Sequence, residues 1–132
     1  MPRTPVVAIV EDNEAVREAL SDLLQVLNIS TGAFDRAEAF LAEFAPGRFD
    51  CLITDVRMPG VDGLELQRRL RALGSSMPVI FVTSDGDPAT KDRALDEGAH
   101  AVLTKPVSDD ALIRCLKIAL SRTFADGEGG GE

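Results

Sequence analysis

The chain has no tryptophan, no tyrosine, one histidine and two cysteines among its 132 residues. Cys51 and Cys115 form no CxxC and no zinc-like spacing, so both are read as buried free thiols. Without tryptophan there is no indole fluorescence to report on a ligand. No apolar run approaches the length of a membrane span, and the first ten residues lack the apolar core and cleavage site of a signal peptide. A cytoplasmic protein is therefore expected. Positive charge is also scarce: Lys and Arg number 14 against 22 Asp and Glu, for a net charge of −8. That balance argues against a nucleic-acid surface formed by this domain alone, and most of the acids read as solubility. His100, between Gly98 and a strand, reads as an exposed turn residue and not as a phosphohistidine carrier.

What is present is an ordinary globular composition, 45% hydrophobic, in a length suited to one domain. Pro5 to Val10 is an apolar run of the kind covered on both faces of a sheet. Val16, Leu20, Leu23, Leu24 and Leu27 recur at helical spacing behind Glu11-Asp12-Asn13, which can cap, and Asn28 is a stop. Ile29 to Phe34 is a weaker strand. Asp35 and Glu38 resemble a capping box for a helix with Phe40, Leu41 and Phe44 as its stripe, broken at Pro46-Gly47. Phe49 to Thr54 is the third strand. Asp62 caps a helix with Leu66, Leu70 and Leu73 inward and Arg68, Arg69 and Arg71 outward.

Pro78 to Thr83 is a fourth strand. Asp87-Pro88 opens a helix to Glu97 that has only Ala89, Ala94 and Leu95 to bury, so it is expected to be the most loosely held. Ala101 to Thr104 is a fifth strand, and Ser108 caps a last helix through Ile113, Leu116 and Leu120. From Thr123 the chain turns to Asp, Glu and Gly and reads as a frayed tail. Strict alternation of strand and helix predicts an α/β fold, a five-stranded parallel sheet covered by helices on both faces. All strand C-termini then share one edge, where ligands bind at the point of strand-order reversal.

The residues at that edge are Glu11-Asp12, Asp55, Thr83-Ser84 and Lys105. Asp55 is delivered by an apolar run and then left clear by the turn Arg57-Met58-Pro59-Gly60. Pro59 fixes its own φ and holds Met58 extended, while Gly60 and Gly63 permit angles that other residues resist. Carboxylates packed together raise one another's pKa unless a cation joins them, and a hard divalent ion such as Mg²⁺ fits. With an ammonium and a hydroxyl added, the set suits a phosphoryl group, and Asp55 could accept it as an acyl phosphate.

These residues resemble the receiver domain of two-component response regulators, over Val6 to about Ser121. The marks are Glu11-Asp12, Asp55 within Asp-Val-Arg-Met-Pro-Gly-Val-Asp-Gly, Thr83-Ser84 and Lys105-Pro106, in order at predicted strand ends. The resemblance implies a doubly wound, flavodoxin-like (βα)5 fold with strand order 2-1-3-4-5, a receiver over residues 1–122, and a tail or cut linker over 123–132. It implies that Asp55 takes phosphate from a sensor histidine kinase or phosphotransfer protein, with Mg²⁺ held by Glu11, Asp12, Asp55 and the Arg57 carbonyl. It further implies that Thr83 moves toward the phosphoryl group, that Lys105 pairs with it, and that Lys105–Pro106 is cis. The chain would then be a phosphoacceptor that catalyses its own phosphoryl transfer and dephosphorylation, not an enzyme acting on other substrates.

Two positions depart from the family pattern. Val102 stands where relatives often carry Tyr or Phe, so a ring-based switch involving Thr83, Ser84 and position 102 cannot operate. Val107 replaces the Phe that often follows the proline. Asp85 and Arg57 lie where side chains could admit or obstruct a hydrolytic water. An aspartyl-phosphate hydrolase would need a second aspartate at position 57, which is arginine, and a flavin or dinucleotide binder would need a glycine-rich loop where Glu11-Asp12-Asn13-Glu14 stands. The expected partners are the kinase and either a separate output protein or a tethered DNA-binding domain, with homodimerisation on phosphorylation through helix four, strand five and helix five. No membrane partner is expected.

Overall fold

Short apolar runs alternate with amphipathic segments, and each takes the conformation its periodicity asks for. In the computed structural model, which describes residues 4–84 and 86–129 with side chains as far as residue 121, ten elements follow one another. The strands are β1 (Val6–Val10), β2 (Ser30–Phe34), β3 (Cys51–Thr54), β4 (Val79–Thr83) and β5 (Ala101–Thr104). The helices are α1 (Glu14–Val26), α2 (Ala37–Glu43), α3 (Gly63–Ala72), α4 (Pro88–Asp96) and α5 (Asp109–Gly129). All strand pairs are parallel, in the order β2-β1-β3-β4-β5. The α/β fold and its strand order are as expected.

Alternation along the strands divides the core in two, because successive side chains point to opposite faces. Ala8, Val10, Leu52, Val79 and Phe81 face a cluster completed by α2, α3 and α4. Val7, Ile9, Cys51, Ile53, Ile80 and Val82 face a second cluster completed by α1 and α5. The central strands β3 and β4 are buried throughout, whereas edge strands β2 and β5 are partly exposed. Helix starts are capped at Asn13, Asp62 and Asp87, each side chain accepting an amide of the first turn. The Ser108 hydroxyl likewise accepts the Ala111 amide at 3.1 Å.

Several expectations change in detail. The capping box at α2 does not form: Arg36 is the N-cap and makes no side-chain cap bond. Asp35 pairs with the Arg36 guanidinium at 3.2 Å, and Glu38 is taken by the Val61 amide at 3.4 Å. Phe44 lies just past α2, as its C-cap. Leu73 is 63% exposed because α3 ends at Ala72 and its last turn carries the side chain outward. Of the α4 residues expected inside, only Ala94 is buried; Ala89 is exposed and Leu95 is 39% exposed. Cys115 is half-buried, while Cys51 is buried and its thiol is pushed up to about 12 by desolvation. Helix α5 continues past Thr123 to Gly129, since nothing between Leu120 and Gly127 stops propagation.

Candidate functional site

The order β2-β1-β3 places the reversal of strand order between β1 and β3. Val10 registers with Thr54 there, so Glu11 and Asp55 leave adjacent strands side by side. The Glu11 amide still donates to the Phe34 carbonyl at 3.0 Å, and the Asp55 amide to the Val10 carbonyl at 3.3 Å. Both acids are thus fixed by the ladder although their side chains lie beyond it. On the other flank Thr83 registers with Thr104, and the Lys105 amide donates to the Thr83 carbonyl at 2.7 Å. The sheet itself aims these groups at one crevice.

In that crevice the Lys105 ammonium donates to Asp55 Oδ2 at 2.8 Å and to Glu11 Oε1 at 3.0 Å. The second oxygen of each acid is also engaged. Asp55 Oδ1 accepts the Arg57 amide at 3.1 Å, and Glu11 Oε2 accepts the Asn13 amide at 3.1 Å. Glu11 and Asp55 are buried, Asp12 is exposed, and carboxylate oxygens of all three lie within 4.8 Å of one another. Desolvation raises the Glu11 carboxyl above its ordinary range, with the Asn13 amide and the Lys105 ammonium opposing that rise. Burial works against the charge on Lys105, yet its bonds to Asp55 and Glu11 prevail and hold its pKa above the usual value. The ammonium therefore stays charged at neutral pH. The donor set is oxygen only, with no sulfur or imidazole, which fits a hard divalent cation.

Three residues that support this geometry escape a reading of the sequence. Arg17, which lies off the apolar stripe of α1 and would be expected in solvent, turns back and donates Nη1 to the Glu11 carbonyl at 2.8 Å. Glu38, assigned to a helix cap, instead holds the loop after Asp55 through the Val61 amide. Gly63 does not need an unusual backbone angle; a Cβ there would overlap the Asp55 carbonyl oxygen and stand 2.9 Å from the Phe81 ring. Gly60 is the one of the pair that takes a left-handed angle, φ +75°. The sequence signalled a turn at these glycines, but not that one of them clears space for the strand end.

Thr83 is buried at the end of β4 and Ser84 is exposed. Val102 is partly buried and packs on the α3–α4 side of the core, as a strand residue does. The Lys105–Pro106 peptide is cis. Val107 packs against the opposite core cluster. Arg57 is exposed, Asp85 lies outside the described residues, and His100 is exposed. Of the three α3 arginines expected to face solvent, only Arg69 is exposed. Arg68 and Arg71 are half-buried, because each finds acceptors toward α4. No helix among the described residues is long and apolar enough to cross a membrane.

Comparison with known proteins agrees with this arrangement. The profile of the response regulator receiver domain matches residues 7–117. Response regulator protein TodT of Pseudomonas putida is 38% identical over 118 residues, covering 89% of this chain and 52% of TodT. Transcriptional regulatory protein FixJ of Azorhizobium caulinodans is 39% identical over 127 residues, covering 96% of this chain and 60% of FixJ. Among solved structures, response regulator StyR superposes with a TM-score of 0.86 at 34% identity, covering 98% of this chain and 65% of that one. The chain spans about half the length of the curated relatives it matches. With the profile running through nearly the whole sheet and every helix, the chain belongs to the receiver domains of two-component response regulators.

Proposed function

We propose that Asp55 accepts a phosphoryl group from the phosphohistidine of a sensor histidine kinase or phosphotransfer protein, and that the modified domain changes its affinity for partners. The observation that carries this reading is the Lys105 ammonium 2.8 Å from Asp55 Oδ2, beside the acids of Glu11 and Asp12. In the transfer, an Asp55 oxygen forms a bond to phosphorus while the nitrogen–phosphorus bond of the donor breaks. The electron pair goes to the imidazole, which takes up a proton. Mg²⁺, held by Glu11, Asp12, Asp55 and the Arg57 carbonyl, would neutralise charge on the phosphoryl oxygens and orient them.

Lys105 already pairs with the carboxylate that would carry the phosphoryl group, so it needs only a small shift to pair with a phosphoryl oxygen. Thr83, buried at the neighbouring strand end, supplies a hydroxyl donor to the same oxygens. Ser84 and Val102 complete the switch region, with Val102 acting through packing and not through a ring. Attack by water on phosphorus would break the Asp55 oxygen–phosphorus bond, release inorganic phosphate and return the Asp55 carboxylate within the same pocket. The domain thus catalyses its own phosphorylation and dephosphorylation, in the cytoplasm where its donor resides.

FixJ, similar over nearly all of this chain, is a transcriptional regulatory protein. That supports a second reading of the output: the receiver of a regulator whose DNA-binding part, not the receiver itself, contacts nucleic acid, with dimerisation on phosphorylation. The phosphoacceptor role has a direct test. Acetyl phosphate with Mg²⁺ is expected to add one phosphoryl group by intact mass, and Asp55→Asn to abolish the adduct. Labelling that persists in the variant would move the site elsewhere. Lys105→Ala is expected to keep metal binding while weakening the response, and loss of metal binding would assign that residue a different role.

A further inference from the structure

The loop after Asp55 is fastened to a helix that carries none of the acids of the cluster. Helix α2 lies against the sheet through Ala37 and Phe40, both fully buried. Glu38 stands between them in the sequence and is exposed, and its Oε2 accepts the Val61 amide at 3.4 Å. A second feature marks the same contact. Gly60 takes φ +75°, and a Cβ there would stand 2.7 Å from Glu38 Oε2, so a side chain at position 60 would displace the carboxylate. The near end of the loop is held from inside the site, where the Arg57 amide donates to Asp55 Oδ1 at 3.1 Å. The Gly63 amide closes the base of the loop on the Val56 carbonyl at 2.8 Å. Between Arg57 and Val61 come Met58, with its side chain buried, and Pro59, which has no amide hydrogen to give. Glu38 thus reaches the outer part of the loop from a different element.

We propose that Glu38 is a positioning residue for the loop after Asp55: by holding the Val61 amide it fixes where the Arg57 carbonyl stands, and so raises the affinity of the acid cluster for a divalent cation. This rests on the reading in which that carbonyl completes the donor set of Glu11, Asp12 and Asp55. A carbonyl on an unrestrained loop has to be ordered when the cation binds, whereas one already held binds with a smaller entropic loss. The bond to Val61 lies in solvent and is exchanged for water at little net cost, so its effect on folding is small. Helix α2 is secured instead by Ala37 and Phe40. Glu38 also has a competing role, because an acid in the first turn of a helix is favourable through its charge. The two roles are separable. The helix end needs the charge, whereas the loop needs only an acceptor oxygen, which glutamine keeps at the same reach.

The test is a Mg²⁺ titration of the full chain followed by ¹H–¹⁵N NMR, with amide exchange measured in metal-free buffer. In the wild type, Mg²⁺ is expected to shift the amides of Asp12, Asp55 and Arg57. Glu38→Ala is expected to weaken Mg²⁺ binding about three- to tenfold, and Glu38→Gln by less than about twofold. In metal-free Glu38→Ala, exchange at Val61 is expected to quicken about fivefold while the Phe40 amide of α2 and the Leu66 amide of α3 keep their rates. A merely structural role would quicken Phe40 as well, and that result overturns the proposal. Wild-type affinity or unaltered Val61 exchange in Glu38→Ala, or equal weakening in Glu38→Gln, also overturns the positioning role and leaves the acid cluster standing as a cation site. Absence of Mg²⁺ binding by the wild type overturns both.

Discussion

The two flanks of the sheet are held by different kinds of force. Beside β2, the rings of Phe34, Phe40, Phe44 and Phe49 form a connected cluster with centroids 5.4 to 6.2 Å apart. Beside β5, helix α4 presents one buried alanine and is tied by hydrogen bonds and ion pairs from α3. Apolar packing is non-directional and is lost over small displacements, so the phenylalanine flank behaves as a solid wall. Partly exposed polar ties each contribute little net stability and can be exchanged for water. The acids of the site lie between the two, on β1 and β3. A charge change there therefore meets a wall on one side and an adjustable support on the other.

The largest effect is expected from breaking the wall. Phe40 is fully buried and contacts three other rings. Phe40→Ala is predicted to cost about 3–5 kcal/mol in urea unfolding, because it opens a large cavity among the rings of Phe34, Phe44 and Phe49. The relative exchange rates within α4 should be unaltered in the same variant. A loss under about 1 kcal/mol would mean that the rings are not the main support of that flank.

Breaking the other flank is expected to cost less. Arg71→Met keeps the apolar stem of the side chain but leaves the Ser75, Met77 and Gly98 carbonyls without the guanidinium. The predicted loss is about 1–3 kcal/mol, offset in part because the desolvated charge on Arg71 is removed as well. Exchange at Gly98 and Ala99 should quicken more than at any amide around Phe40. If the loss matches that of Phe40→Ala, the distinction between the flanks fails.

How far this contrast could be read beforehand depends on the type of contact. The alternation of strand and helix and the residues of the crevice were legible, because apolar runs and turn chemistry place Glu11, Asp55 and Lys105 at strand ends without reference to side-chain partners, whereas the strand order came only with the family resemblance. That α4 buries little was legible too, from its few apolar residues. Its tie was not. Arg68 and Arg71 look like any solvated arginine, and their acceptors toward α4, Glu97 and the Gly98 carbonyl, are defined only once α3 and α4 are side by side. Gln67 gives no signal at all, since a glutamine followed by two arginines reads as surface although it is fully buried. Glu38 fails for a related reason: its three-residue spacing from Asp35 matches a cap, but a distant loop competes for it.

The site between the flanks has its own pH dependence. Burial raises the Glu11 carboxyl, so the folded chain holds that proton more tightly than the unfolded chain. The stability linked to the proton is fully present below the ordinary value of 4.5 and is lost as pH rises through the raised folded value. Measured in metal-free buffer, the stability of the wild type relative to Glu11→Gln is therefore predicted to fall with rising pH across that window. A difference that rises with pH would show that Lys105 and Asn13, and not desolvation, dominate the environment of Glu11.

The smallest effect is expected at Gln67, and it sharpens the comparison most. Gln67→Met keeps the volume of the side chain and removes two things, the Nε2 bond to Ala94 and the unpartnered Oε1. The Ala94 carbonyl keeps the Ala99 amide at 3.0 Å, so no buried acceptor is newly orphaned. Eliminating an unpaired buried oxygen offsets the lost bond, and the net change in unfolding free energy is predicted to lie within about 1 kcal/mol of zero. A buried, fully enclosed residue would then be nearly neutral for stability, in contrast to Phe40 at the same depth. A loss above about 2 kcal/mol would instead make Gln67 a stabilising contact of the same rank as the rings. With a near-zero result, the buried amide would orient α4 on α3 through the Ala94 carbonyl without adding to the stability of the fold.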